Sequence, residues 1–520
     1  MSQICIILVM VLYLALMLYI GFASNKKGSG KSVDEFYLGN RKIGPLVTAM
    51  SAEASDMSSY LLMGLPGLAY LTGICDVGWT VIGLAAGTYL NWLFVSRRLR
   101  RYSEKIGAIT IPDFFSKRYH DDKNVLSCIA ALVILIFFIP YTASGFKAIG
   151  TLFNSLFGID YHVAMIVGGA VVVAYTVIGG FLAVSTTDLM QSIVMSFALI
   201  AIVLFGIGYA GGWDNVMANA QSLSGFLSMN ATYDVATGNS VPYGFLTVLS
   251  TLAWGLGYFG MPHILLRFMA IRDENELTLS RRIASVWVVI SMSVAILIGV
   301  VGNAVSKNGL IPYLNTSSDS ETIIIQLSNI LSQRGVLFAL IAGLVMAGIL
   351  ASTMSTADSQ LLQASSSFSQ NILQDFLHIK MDEKQSMLYA RGTVAVIAVI
   401  GVLLAWNPDS SVFTIVSFAW AGFGAAFGPL MLFSLFWKRT TKAGALAGMV
   451  SGGACSFLWK FLVRPLGGAW NIYELLPAFI VSTLVILIVS LATKEPEQAI
   501  VREFDSVNAQ TASKASGKAK

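Results

Sequence analysis

The chain has 520 residues, of which 56% are hydrophobic and 12% charged, with a net charge of +5. Soluble domains carry about 25% charged residues, so this chain lacks the charge to cover a water-facing surface. Water-soluble globular, disordered and collagen-like classes are excluded on those numbers and on a mean hydropathy of +0.72. Four scattered cysteines (Cys5, Cys75, Cys128, Cys455) form no CxxC pair, and the four histidines are dispersed. Neither a disulfide framework nor a metal cluster is indicated.

A membrane-crossing helix needs roughly 20 mostly apolar residues. Thirteen segments qualify, near 3–23, 43–70, 76–96, 124–151, 160–180, 187–210, 243–266, 283–305, 322–362, 388–406, 410–436, 443–463 and 472–493. An all-α integral membrane protein of about 13 transmembrane helices is expected. The first segment is not a signal peptide, because its positive charges (Lys26, Lys27, Lys31) follow the apolar run instead of preceding it. Placing the N-terminus outside puts 28 Lys and Arg residues in cytoplasmic segments and 5 in outside segments. That asymmetry fits the positive-inside rule, so the reading is N-terminus out and C-terminus in, in a cell membrane. The arginines at 97, 98, 100 and 101 are read as topology signals.

Between the spans little else is attached. Asn230-Ala231-Thr232 and Asn315-Thr316-Ser317 match a glycosylation pattern that matters only in a eukaryotic secretory path. Residues 494–520 are polar and rich in small residues, which predicts a disordered cytoplasmic tail. No Walker motif is present, so ATP does not drive the chain directly. Membrane lipid is its surroundings. No nucleic-acid or obligate protein partner is indicated.

Polar residues inside a span are costly and point to function. The second span holds Glu53, Asp56 and four serines (Ser51, Ser55, Ser58, Ser59), followed by Gly64, Pro66 and Gly67. The ninth span carries Ser352, Ser355, Thr356 and Ser359 at i, i+3, i+4, i+7, which share one helical face. Such hydroxyls either glue helices together or complete an oxygen cage for a small hard cation beside a broken helix. Sodium suits neutral hydroxyl and carbonyl oxygens, and both readings stay open on chemistry alone. In the seventh span, Trp254-Gly-Leu-Gly-Tyr-Phe-Gly-Met-Pro-His263 predicts a kinked or unwound helix. Trp254 and Tyr258 lie i, i+4 apart, either as packing or as the wall of a solute pocket. The second and seventh spans each open a run of five helices, the arrangement of a transporter built on two repeats. His263 reads as structural. Asp188 reads as a helix N-cap or part of an ion exit route.

These stretches carry a family resemblance from about Ile20 to Ala492. They are Tyr37-Leu-Gly-Asn-Arg-Lys-Ile-Gly-Pro45, Ala54-Ser-Asp-Met-Ser58, Leu61-Leu-Met-Gly-Leu-Pro-Gly67, Ile111-Pro-Asp-Phe-Phe115, Gly179-Gly-Phe-Leu-Ala-Val-Ser185, Trp254-Gly-Leu-Gly-Tyr-Phe-Gly260 and Met354-Ser-Thr356. Tyr389-Ala-Arg391, Phe418-Ala-Trp-Ala-Gly-Phe-Gly-Ala-Ala-Phe-Gly-Pro429, Ser434-Leu435, Arg439 and Gly444-Ala-Leu-Ala-Gly448 complete the set. The chain resembles the solute:sodium symporter family, and within it the bacterial sodium/proline symporters.

The resemblance implies a LeuT-type core of two inverted five-helix repeats, with extra helices at both ends. Residues 43–436 would be the core, its repeats about 43–210 and 243–436, with 1–42 before it and two helices in 437–493 after it. It implies sodium as coupling ion and no organic cofactor. Its sodium site would use carbonyls of Ala54, Met57 and Ser352 with the hydroxyls of Ser355 and Thr356. Asp56 would serve coupling and Asp188 inward release. Ser58, Tyr60, Tyr141, Trp254, Tyr258 and Pro262 would contact the solute, expected to be L-proline. The chain departs from the usual proline-symporter pattern at three places: Ser59-Tyr60 replaces Gly-Trp, Glu53 replaces Gly, and Met261 replaces Gln. A different small amino acid, a carboxylate or a vitamin is the alternative solute, and a proton the alternative coupling ion, given Glu53 and Asp56. An intramembrane enzyme would need a nucleophile–base or metal constellation that the sequence does not display. A sensor would need an output domain.

Overall fold

A computed structural model describes residues 2–26 and 33–516. Nine helices among the described residues are long and apolar enough to cross a membrane, running from Ser2–Ala23 to Leu475–Ala492. They coincide with the first, fourth, sixth and eighth to thirteenth expected spans. The second, third, fifth and seventh fall on interrupted or shorter helices.

Helix α1 is Ser2–Lys26. The second span is α2, Pro45–Ser59, a π turn over Tyr60–Gly64, and α3, Leu65–Thr72. Helix α4, Ile74–Leu90, passes through a π turn at Asn91–Val95 into α5, Ser96–Lys105. The arginines at 97–101 therefore extend a helix, where a loop was expected. Short α6, Ile111–Arg118, leads to α7, Val125–Phe157. Helix α8, Tyr161–Tyr209, holds the fifth and sixth spans together. The loop expected over 181–186 is replaced by a single break at Gly180, whose φ of 62° suits glycine.

Outside the bundle, residues 211–244 carry a small hairpin of β1, Ala231–Tyr233, on β2, Ser240–Pro242. The seventh span is α9, Phe245–Leu252, a 3₁₀ stretch over Ala253–Gly260, and α10, Pro262–Ala270. Helix α11 is Leu277–Lys307. The expected ninth span, 322–362, is two helices: α12, Ile323–Ser332, and α13, Val336–Ser366. Gly335, at φ 117°, separates them with a backbone that other residues rarely adopt. The last transmembrane helices are α14, Glu383–Leu404, α15, Val412–Phe436, α16, Lys442–Leu458, and α17, Leu475–Ala492.

The tail is not disordered over its described part. Residues Gln498–Ser516 form α18, which packs on α5. Ile500, Phe504 and Val507 are buried, and their i, i+4, i+7 spacing makes one apolar stripe. Composition hid that stripe among polar neighbours. Glu503 meets His120 at 3.4 Å, and the Arg118 guanidinium lies 5.1 Å from the Phe504 ring.

Polarity is inverted relative to a soluble protein. Val286, Val289 and Ile290 on α11, and Val396, Val399 and Leu403 on α14, face outward. Ser51, Asp56, Asp188, Arg267, Ser355 and Thr356 are buried. Helix α13 packs against α8, α7, α2 and α1, at the centre of the bundle. In hydrocarbon, polar groups gain by turning inward toward one another, so the hydroxyl face of α13 meets the broken α2.

Candidate functional site

Helix α2 breaks at Ser58, where φ is 45° and ψ −169°. The Ser58 hydroxyl accepts the Tyr60 N–H at 3.1 Å, stabilising the turn that follows. Across from the break, the Ser355 hydroxyl donates to the Ala54 carbonyl at 2.7 Å. The Ser352 carbonyl accepts from Ser355 at 3.3 Å and from the Thr356 hydroxyl at 3.2 Å. Four of the five expected sodium ligands therefore form one chain of hydrogen bonds. Met57 lies a turn beyond Ala54, and its carbonyl accepts the Tyr60 N–H. Every donor atom in this set is a neutral hard oxygen, the type that suits sodium. A carbonyl or hydroxyl oxygen that takes one hydrogen bond retains a second lone pair.

Beside this cluster lies a cavity of about 10 Å³, lined by Asp56, Met57, Tyr60, Tyr141, Trp254 and Trp420 among others. That volume holds roughly one water, so a solute enters only when the walls part. Asp56 Oδ2 accepts the Tyr258 hydroxyl at 2.6 Å, and the Asp56 carbonyl accepts the Tyr141 hydroxyl at 3.1 Å. Asp56 Oδ1 and the Tyr60 hydroxyl are buried with no hydrogen-bond partner among the described residues. The Tyr60 ring stacks on Trp254 at 5.8 Å, and Phe413 lies 5.7 Å from Tyr60 and 5.6 Å from Trp254. Tyr258 thus reaches the site through Asp56. Ser58 is engaged by the break itself, and neither Pro262, in the first turn of α10, nor Met261 lines the cavity.

Glycine lets the second broken span approach. A Cβ on Gly87 would lie 2.2 Å from the Gly255 carbonyl oxygen, and one on Gly257 would lie 2.0 Å from Trp420 Nε1. That indole donates to the Trp254 carbonyl at 2.8 Å, and Asn91 Nδ2 donates to the Tyr258 carbonyl at 2.9 Å. Both carbonyls belong to the 3₁₀ stretch, where regular helical pairing is lost. Glu53 accepts the Trp92 indole N–H at 3.1 Å through one carboxylate oxygen. His263 is fully buried, its ring 5.6 Å from Phe138, and neither ring nitrogen has a hydrogen-bond partner among the described residues.

Asp188 is no N-cap, since it lies inside α8, beyond the break at Gly180. Its Oδ2 accepts from the Ser51 hydroxyl at 2.6 Å and from Arg267 at 3.1 Å. Arg267 also donates to Ser51 at 3.0 Å, to the His263 carbonyl at 2.9 Å and to Ser359 at 2.6 Å. One fully buried guanidinium thus ties together α2, α8, α10 and α13. The positive-inside count places Arg267 in a cytoplasmic segment, and the structure places it in the interior. The same count places Lys147 in an outside segment, yet it pairs with buried Glu321 at 3.2 Å. Glu321 also accepts from Ser411 Oγ and the N–H groups of Val412 and Phe413, at 2.8, 3.1 and 3.0 Å, capping the N-terminus of α15. The available signal for Lys147 was its place inside an apolar run.

Residues 36–452 match the sodium:solute symporter family. The chain is 42% identical over 491 residues to the high-affinity proline transporter PutP of Bacillus subtilis, covering 94% of this chain and 98% of the relative. It is 38% identical over 507 residues to a sodium/proline symporter of Staphylococcus aureus, covering 95% and 94%. Among solved structures it is similar to a substrate-bound, outward-open Na⁺-coupled sialic acid symporter, with TM-score 0.76 and 18% identity over 95% of this chain and 99% of that one. A nucleobase-cation-symport-1 family transporter in a closed conformation matches with TM-score 0.55 and 14% identity, over 92% and 99%. The mostly helical architecture is that of LeuT-type sodium symporters. With the family model matching residues 36–452 and relatives 38–42% identical over most of their length, the chain belongs to the sodium:solute symporter family.

Proposed function

We propose that this chain takes up L-proline together with sodium. The observation that carries the reading is the 2.7 Å bond from Ser355 to the Ala54 carbonyl, which places a set of neutral oxygens beside an aromatic cavity at a helix break. Sodium would be held by the carbonyls of Ala54, Met57 and Ser352 and the hydroxyls of Ser355 and Thr356. Ligation there would tie α2 to α13 across the break. L-Proline is a zwitterion. The unpartnered Asp56 Oδ1 offers an acceptor to its ammonium, and the unpartnered Tyr60 hydroxyl a donor to its carboxylate. The rings of Tyr60, Tyr141 and Trp254 offer apolar walls to the pyrrolidine. Ser58, Tyr258 and Pro262 act from behind this wall by shaping the two breaks.

Thirteen spans with the N-terminus outside and the C-terminus in the cytoplasm complete the reading. Residues 43–436 form the transport core, with repeats about 43–210 and 243–436. Movement of one repeat against the other would open the cavity to each side in turn. An inward sodium gradient drives accumulation, and the membrane potential adds about 2.3 kcal/mol per charge per 100 mV. Asp188 and Arg267 would have to separate or shift to clear an inward route past Ser51 and Ser359. A second reading, a different small amino acid as solute, is favoured by Tyr60, whose unpartnered hydroxyl adds a polar group to an otherwise largely apolar wall.

The test is uptake of radiolabelled L-proline into proteoliposomes with and without an inward sodium gradient, at fixed potential and pH. Sodium-dependent accumulation is expected. Sodium-dependent uptake of another amino acid in its absence would overturn proline as solute, and uptake driven by a pH gradient alone would overturn sodium coupling.

A further inference from the structure

We infer that Tyr473, supplied by the connection between the two C-terminal helices outside the ten-helix core, is a positioning residue of the solute pocket. This rests on the reading of Trp254 as a pocket wall. Tyr473 stacks on Trp254 with ring centroids 4.9 Å apart and planes at 18°, a closer and more parallel arrangement than the Tyr60–Trp254 pair, at 5.8 Å and 26°. The Tyr473 hydroxyl donates to the Ser417 carbonyl on α15 at 2.7 Å, and its backbone N–H donates to the Ser250 hydroxyl on α9 at 2.5 Å. Three contacts therefore fix one ring against both the seventh and the eleventh spans.

The anchoring continues behind it. Glu474 is fully buried and accepts from Arg464 at 2.9 Å, with Lys460 at 3.5 Å. The backbone next to Tyr473 is thus held by an ion pair whose carboxylate is buried and whose arginine is partly exposed. Trp254 lies in the 3₁₀ stretch, and its ring is packed by Tyr60, Phe413 and Trp420 from the core and, most closely, by Tyr473 from outside it. A side chain held this way presents one fixed aromatic surface to the solute and loses little rotamer freedom when the solute binds. The C-terminal helix pair thereby contributes to solute affinity as well as to the bulk of the protein.

The test compares wild type with Tyr473→Leu, Tyr473→Phe and Tyr473→Trp in proteoliposomes. Initial uptake is read for labelled L-proline and, in parallel, for labelled alanine, glycine, pipecolate and glycine betaine. Aromatic pairs contribute enough to change affinity by about 2- to 10-fold. Tyr473→Leu is expected to raise the solute KM by that factor, with maximal rate, sodium half-saturation and protein per liposome within about twofold of wild type. Tyr473→Phe and Tyr473→Trp are expected to restore most of the affinity, because they keep the stacked ring. A residue that merely supported folding would lower maximal rate and protein amount and leave KM alone, and that pattern overturns the inference. An unchanged KM in Tyr473→Leu also overturns it. Wild type that transports another solute of the panel but not L-proline overturns the solute reading alone, since the Tyr473 comparison is then made on that solute. Wild type that transports none of them overturns both.

Discussion

Replacing Ser355 by alanine tests the proposed cation site at its structural centre. The substitution deletes one expected sodium ligand and also the donor that meets the Ala54 carbonyl at 2.7 Å. Ser355 is fully buried on α13, so no solvent water replaces the lost hydroxyl directly. Leaving a buried acceptor without its partner costs about 1–3 kcal/mol. If that cost falls on the sodium-bound arrangement, it corresponds to roughly a 5- to 150-fold rise in sodium half-saturation. The same estimate applies to Thr356→Ala, whose hydroxyl also bonds within the cluster, at 3.2 Å to the Ser352 carbonyl. The assay is initial proline uptake in proteoliposomes over a wide range of external sodium, at fixed potential and internal composition. Membrane insertion is checked by the amount of protein per liposome. Both variants should approach the wild-type maximal rate as sodium rises, which separates a weakened ion site from a misfolded bundle. Sodium half-saturation within twofold of wild type in both variants would refute the assignment and leave the α13 hydroxyls as interhelical glue.

Three further outcomes are expected. Arg267→Gln should be strongly destabilising, by about 3–5 kcal/mol, because it strands Asp188 as a buried charge, and Asp188→Asn in the same chain should recover part of the loss; thermal unfolding in detergent reads both. Tyr258→Phe removes the 2.6 Å bond to Asp56 and should lower uptake at subsaturating sodium and proline by at least about 5-fold with normal membrane insertion, as measured in the same liposomes. Gly87→Ala should reduce the amount of folded protein, since the added Cβ would lie 2.2 Å from the Gly255 oxygen, whereas Gly208→Ala, with open space at that point, should not; quantitative immunoblotting of membranes distinguishes them.

Much of the site was legible because a membrane makes polarity informative. In an apolar span, the run from Ser51 to Ser59 and the face Ser352, Ser355, Thr356 and Ser359 stand out, and each lies where the two helices meet. The same logic located the break near Trp254 through its glycines. It failed where a charge has two readings. Arg267 and Lys147 were counted by sign and position, and only their contacts reveal that each neutralises a buried carboxylate. Asp188 fitted a capping pattern because a loop was expected before it, and the continuous α8 removes that loop. The tail misled for a different reason, since three apolar residues at helical spacing contribute little to the composition of a polar segment.

Hydrophobic runs, charge asymmetry and glycine–proline clusters are local properties, and they determined the membrane class, the expected spans and the two interrupted helices. Residue identity within several motifs also pointed to the family. Only the tertiary structure decided which oxygens come together, because Ala54 and Ser355 are 301 positions apart and meet through packing. It also decided that Arg267 belongs to the interior and that Tyr473 stacks on Trp254. Such pairings depend on the relative placement of helices, which close packing of the whole bundle sets and no local pattern encodes.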